Sequence, residues 1–234
     1  MRIVIALALL CAAQISAAAD IAPFDAAFTV KRNGDALGHM QMRLTNAGDG
    51  QWDFVSRTEG DKGLAGFLGV TIEERSRLQR DDKGFSTIRY DYEQKMVARN
   101  RKRSLTRAAD GAISESDGSD RWTYRSAYAV FDRHSAILGI ADRLAKGPDQ
   151  GVIFGLPVAA KGELETWRFL VVGPEEIETG NGRMSAIRVE RMRENSDRKT
   201  VSWHAAEFSY LPIKVEQTEP DGEVLTSVLD SFKH

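Results

Sequence analysis

The sequence predicts an all-β, mainly antiparallel protein: a curved sheet, or an open or closed β-barrel, of roughly eleven strands with one packed amphipathic helix. Three observations predict it. Apolar residues recur at every second position through much of the chain. Turn sequences rich in Asn, Asp and Gly punctuate those runs at short, regular spacing. Only one segment carries a strong helical repeat. Period-2 alternation puts one face of a strand in a core and the other in water. Tight turns join antiparallel neighbours, because parallel strands need long crossovers.

The elements follow in order. Phe24, Ala26, Phe28 and Val30 alternate with Asp25, Ala27, Thr29 and Lys31. Asn33-Gly34-Asp35 then makes a hairpin turn, where glycine takes a positive φ without steric cost. Gly38, Met40, Met42 and Leu44 line one face of a second strand, residues 46–50 turn again, and Trp52 and Phe54 open a third. The rhythm continues past turns at Asp82-Lys83-Gly84, Asp110-Gly111, Asn181-Gly182 and Pro220-Asp221-Gly222. Residues 110–120, DGAISESDGSD, read as a polar hairpin tip. In the last third, 164–172, 184–192, 200–205, 213–219 and 223–229 read as strands. Val201 and Trp203 share one face, as do Ile187, Val189 and Arg191. Trp52, Phe54, Trp122, Trp167, Phe169, Trp203 and Phe208 are the aromatics expected in a core or lining a cavity.

The helical segment is 135–146, SAILGIADRLAK. Ile137, Ile140, Ala141 and Leu144 fall at i, i+3, i+4 and i+7, one apolar stripe. Asp132 or Ser135 can cap its start, with Ser135 read as a capping residue; Lys146 suits its end and Gly147-Pro148 stops it. Residues 63–70, GLAGFLGV, are apolar and glycine-rich, and read as a short helix, a buried turn or a mobile apolar lid.

The amino terminus carries Arg2, an apolar run of 11 residues from Ile3 to Ala13, and Ala17-Ala18-Ala19 before Asp20. That is the layout of a cleavable export signal, and the run is shorter than the ~20 residues a spanning helix needs. The expected organisation is a signal at 1–19 and a single β domain at 20–234, placed in the periplasm of a Gram-negative cell. Cys11 would leave with the signal, so the exported chain would hold no disulfide. The 234 residues carry 32 Lys+Arg and 34 Asp+Glu, a net charge of −2. No global basic footprint for nucleic acid and no transmembrane segment follow from this.

The strand FTVKRNGDALGHMQMRL, the helical FDRHSAILGIADRLAKG and the late TGNGRMSAIRVE form a recognisable set. So do Trp203, Leu211-Pro212-x-Lys214-Val215-Glu216 and Asp221-Gly222. Together they resemble the bacterial DUF3108 family of exported proteins. The resemblance implies an envelope protein rich in antiparallel β structure and assigns no catalytic residue. Many strands with one amphipathic helix and an apolar loop are also similar in kind to periplasmic lipoprotein carriers of the LolA and LolB type.

Catalytic chemistry finds little footing. His39, His134, His204 and His234 form no metal-ligand pair, and His39 and His204 are expected on polar strand faces. No G-x-S-x-G occurs, and the doublets Glu73-Glu74, Asp81-Asp82 and Glu175-Glu176 point to opposite faces of a strand. No cofactor or metal is therefore expected, and the protein is expected not to be an enzyme. The most charged stretch, KMVARNRKRSLTR, places Arg99, Arg101 and Arg103 on one strand face. They suit either an acidic ligand group or a solvated hairpin face opposite acidic neighbours.

Three functions are compatible with this. The first is a binding or carrier module for a lipophilic or envelope-derived ligand. Its mouth would be lined by Leu64, Phe67, Leu68, Ile137 and Leu144, with Arg99, Arg101 and Arg103 meeting any acidic group. The second is an envelope scaffold or assembly factor with a protein partner. The third is a hydrolase whose site is dispersed in sequence. An apolar cavity above roughly 300 Å³ would favour the first; a solid core with an exterior apolar patch would favour the second.

Overall fold

The structure is a computed structural model that describes residues 21–61, 69–97, 99–147, 149–180 and 182–234. The expected signal at 1–19, and Leu64, Phe67 and Leu68 of the glycine-rich segment, lie outside the described residues. The strands are β1 (Phe24–Arg32), β2 (Asp35–Gly48), β3 (Gln51–Gly60), β4 (Thr71–Asp81), β5 (Gly84–Met96), β6 (Arg99–Arg107), β7 (Ala112–Asp117) and β8 (Asp120–Arg125). After helix α1 (Ala136–Ala145) come β9 (Ile153–Ala160), β10 (Glu163–Thr179), β11 (Gly182–Met192), β12 (Lys199–Ala205), β13 (Leu211–Thr218) and β14 (Val224–Lys233). A short 3-10 turn, Ala206–Phe208, separates β12 from β13.

Among the described residues fourteen strands form one sheet, in the order β8-β7-β6-β5-β4-β3-β2-β1-β14-β13-β12-β11-β10-β9. Sequence neighbours pair antiparallel except β8 and β9, and two meanders join where β1 meets β14. The count exceeds the eleven expected. The region read as a polar hairpin tip contains a strand of its own, β7. Its face shows one buried apolar residue, Ile113, followed by Glu115 and Asp117, so no apolar alternation announces it. Strand β10 also outruns its expected end. A register shift between Val171 and Gly173 lets it continue through Pro174 to Thr179.

The helix forms where its repeat places it, and the sheet wraps round it. It touches β5, β9 and β13, which stand far apart in strand order, so the sheet must curl. Ile140, Ala141 and Leu144 of the expected stripe are buried, while Ile137 is half-buried. Ala136, Leu138 and Gly139 are buried as well, so the helix hides far more than one stripe. At Gly139 a Cβ would sit 2.7 Å from the Phe131 ring and 2.9 Å from Leu156, so only glycine lets the helix lie this close. One core cluster joins Leu138 and Ala141 to Phe24, Phe54 and Leu229; another joins Ala136, Ile140 and Leu144 to Phe169 and Val189. Of the seven expected aromatics, Trp52, Phe54, Phe169 and Trp203 are buried, and Trp122, Trp167 and Phe208 are half-buried.

The strand ladder does not close: β8 and β9 are its two ends. The chain entering α1 bridges the gap instead. Phe131 N–H donates to Pro157 O at 2.9 Å and Ala159 N–H to Phe131 O at 2.9 Å, while Thr87 N–H donates to Val130 O at 2.8 Å. Further along the seam the Glu115 carboxylate accepts from Lys161 N–H at 2.6 Å, Gly162 N–H at 2.7 Å and the Tyr124 hydroxyl at 3.0 Å. Covering edge groups this way satisfies donors that would otherwise invite another chain. Replacing Glu115 by Ala should lower stability by about 2 kcal/mol and speed amide exchange at Gly162. An unchanged urea midpoint and exchange rate would show that the seam holds without it.

Candidate ligand crevice and the anchored helix

Helix α1 is pinned at its start by a buried polar knot. Asp132 is fully buried. Its Oδ1 accepts from His134 N–H at 2.8 Å and Ser135 N–H at 2.9 Å. Its Oδ2 accepts from the Thr87 hydroxyl at 2.8 Å and the Ser135 hydroxyl at 2.8 Å. Ser135 sits at the N-cap position but its side chain makes no capping hydrogen bond. That corrects its expected capping role: the carboxylate beside it is the better acceptor, so the hydroxyl turns back to Asp132. The knot reaches β5 because a register shift between Arg77 and Leu78 leaves Thr87 facing inward, 1% exposed. His134, also buried, stacks on Phe54 with ring centroids 4.1 Å apart, and its Nδ1 lies 2.9 Å from Ser76 Oγ. Burial lowers its pKa, with the Glu74 carboxylate opposing.

Beside the helix an apolar crevice leads from the surface into the first core cluster. Phe24, Phe28, Met42, Phe54 and Leu229 form its walls; Ile137, Phe208 and Phe232 form its mouth and are half-buried. Phe232 stacks on Phe24 at 5.4 Å and meets Phe208 at 4.6 Å. The free space is about 10 Å³, so the side chains nearly fill it.

The turn carrying Phe208 is held in an unusual backbone. Ser209 and Tyr210 have φ of 52° and 57°, left-handed values that cost energy for residues with a Cβ. His204 anchors that turn: its Nδ1–H donates to Tyr210 O at 2.8 Å, and its Nε2 lies 2.8 Å from Ser202 Oγ, a fitting hydroxyl donor. His204 is fully buried, which corrects its expected place on a polar face. By alternation it shares its face with Ser202, which pairs with the buried Val189, so the face expected to be polar is the one that looks into the core. Burial pushes its pKa down to about 4, the hydrogen bond to Tyr210 acting against the shift. His39 stays at the surface, 3.3 Å from Asp61.

The structure separates the expected site residues. Ile137 lines the crevice, whereas Leu144 is fully buried in the other cluster. Arg99, Arg101 and Arg103 do share a face, the same one as buried Leu105. Arg101 and Arg103 both reach Asp117, at 2.7 and 2.8 Å, and Arg103 lies 5.2 Å over the Tyr92 ring. Arg99 is exposed at the start of β6. Sequence reasoning did not select Phe24, Phe28, Met42 and Phe232 as a site. The alternation in β1 and β2 marks the first three as core-facing; nothing local marks Phe232, which a register shift in the β1–β14 pairing sets opposite Ala26.

Among the described residues, no helix is long and apolar enough to cross a membrane. The family model for DUF3108, a protein of unknown function, matches residues 24–230. No curated protein matches the chain. Among solved structures it is similar to a β-barrel-like protein of DUF1849, a domain of unknown function, from Brucella abortus. That match has a TM-score of 0.54 at 8% identity, over 91% of this chain and 98% of that one. It is also similar to a DUF1089 family protein from Pseudomonas aeruginosa, with a TM-score of 0.39, 14% identity and coverage of 74% and 87%. A candidate exported protein with a YmcC-like fold from Bacteroides fragilis gives a TM-score of 0.32, 13% identity and coverage of 91% and 94%.

Proposed function

This chain belongs to the DUF3108 family, and from that premise we propose that it is a non-catalytic periplasmic binding or carrier protein for a lipophilic ligand. The observation that carries the reading is the crevice. Its lining is wholly apolar, yet Phe208, Phe232 and Ile137 at its mouth stay partly open to water. In the state described, about 10 Å³ is free, far less than the roughly 300 Å³ of a ligand pocket. Binding therefore requires the mouth to open. In this reading the Ala206–Phe208 turn swings aside, with the left-handed Ser209 and Tyr210 that follow it as the hinge.

Native mass spectrometry with solvent extraction, on protein purified from its own envelope, tests this directly. A stoichiometric lipophile supports the reading; a clean apo mass overturns it. Phe208→Asp should cut ligand retention at least about tenfold, since it sets a carboxylate in an apolar mouth. Phe208 is half-buried, so the fold should survive. Undiminished retention would remove the crevice as the site.

A second reading, an envelope scaffold, draws on the seam. There an open groove of about 500 Å³ is lined by Asp110, Arg125, Ser126, Ala127, Tyr128 and Leu164. Tyr128 is 69% exposed, a large side chain free to meet a partner. Co-purification of one protein, lost on Tyr128→Ala, would favour it.

A further inference from the structure

Strand β11 runs Ile187, Val189, Arg191 along one face. Val189 is fully buried in the cluster with Ala136, Ile140 and Leu144 of α1, so this face looks inward. Arg191 is the next inward position toward the rim and pairs across the strands with Phe169. Its guanidinium lies 3.4 Å from the Trp167 ring, and its side chain is only 18% exposed. The Glu165 carboxylate stands 4.0 Å away, at the limit of an ion pair. The Arg191 Nε–H is buried and has no hydrogen-bond partner.

Arg193, Arg198 and Arg133 all act on Arg191 electrostatically, against Glu165. Arg193 donates to Arg198 O and to Thr200 Oγ1. Arg198 is matched by Glu219 at 2.7 Å and Arg133 by Glu74 at 3.6 Å. Burial, then Arg193, push the Arg191 pKa down to about 10. Arg188 also has a buried Nε–H without a partner, but its guanidinium meets both Glu175 and Glu190, and Arg101 and Arg103 converge on Asp117. A guanidinium withdrawn from water with one carboxylate at 4.0 Å and a free buried donor is short of an anion. Its planar fork matches two oxygens of a phosphate or carboxylate.

We propose that the rim beside the start of α1 is an anion-binding site centred on Arg191, and that it takes a phosphate monoester group. This goes beyond the crevice reading, because inorganic phosphate, which has no apolar part, tests it alone.

The experiment is calorimetric titration of the purified protein with inorganic phosphate, dodecyl phosphate and dodecanol, at ionic strength held constant with chloride. Phosphate should bind, and Arg191→Gln should weaken it at least about tenfold, while Arg168→Gln, on the exposed face of β10, should leave it unchanged. In parallel, the Arg191 Nε–H resonance of the unsubstituted protein should shift on phosphate addition, which tests the site even if the variant folds poorly. Dodecyl phosphate binding tenfold or more tighter than phosphate would identify a lipid headgroup; equal affinity would identify a free phosphate. Both support the site. Phosphate that fails to bind, an Nε–H that does not respond, or Arg191→Gln binding as tightly as the parent would overturn it. Dodecanol binding without phosphate binding would leave the crevice reading standing and this one refuted.

Discussion

Asp132→Ala should destabilise the protein by about 4 kcal/mol, more than any surface substitution. The carboxylate is fully buried and accepts four hydrogen bonds, two from backbone N–H groups and two from hydroxyls. Truncation removes the shared acceptor of the Thr87 and Ser135 hydroxyls and of both amides at a fully buried position. It also cuts the tie between β5 and the start of α1, the helix round which the sheet curls. Asp132→Asn should cost less, about 2 kcal/mol, because Oδ1 is kept and the two hydroxyls can turn to accept from the new amide. Urea unfolding at fixed slope reads both values as shifts in midpoint. A loss under ~1 kcal/mol for Asp132→Ala would mean that apolar packing alone seats the helix.

Acid should weaken the fold well before the carboxylates titrate. An unfolded histidine takes up a proton near pH 6.5, whereas buried His204 does so only near pH 4. Above pH 6.5 both forms are neutral and stability is full. As pH falls from 6.5 toward 4 the unfolded chain binds a proton that the folded chain refuses, and stability drops by about 1.4 kcal/mol per pH unit. From pH 8 to pH 5 the loss from His204 comes to about 2 kcal/mol. His134 acts in the same direction, since burial also lowers its pKa. Urea midpoints at pH 8, 6 and 5 measure the fall, and His204→Gln should make it shallower while costing some stability at pH 8. An equally steep fall in that variant would place the effect elsewhere.

The local signals that proved legible were those whose cause is local. The hairpin at Asn33-Gly34 forms where turn chemistry puts it, with φ of 50° and 91°. The segment 135–146 forms a helix at 136–145, because its spacing is local and the Asp132 carboxylate and Gly147 each act within about a turn of one end. Arg191 was visible too, sharing a face with Ile187 and Val189. Its meaning was hidden, because a charge at the end of an apolar face reads as an ordinary strand end until Trp167 and Glu165 are seen beside it.

The antiparallel β character, the helix at 136–145 and the family were legible in the chain, since alternation, turn residues and a 3.6-residue repeat are all properties of short stretches. Tertiary structure decided the rest. β7 exists as a strand because β6 and β8 supply its hydrogen bonds and Arg101 and Arg103 compensate its Asp117. His204 is buried because the face it shares with Ser202, set beside Val189 of β11, is the one the curled sheet turns inward. The apolar helix is enclosed rather than laid on a surface because β5, β9 and β13 converge on it from distant places in the sheet. Such convergence depends on how far a fourteen-stranded sheet curls, and that curl sums small twists over the whole ladder, which no window of sequence contains.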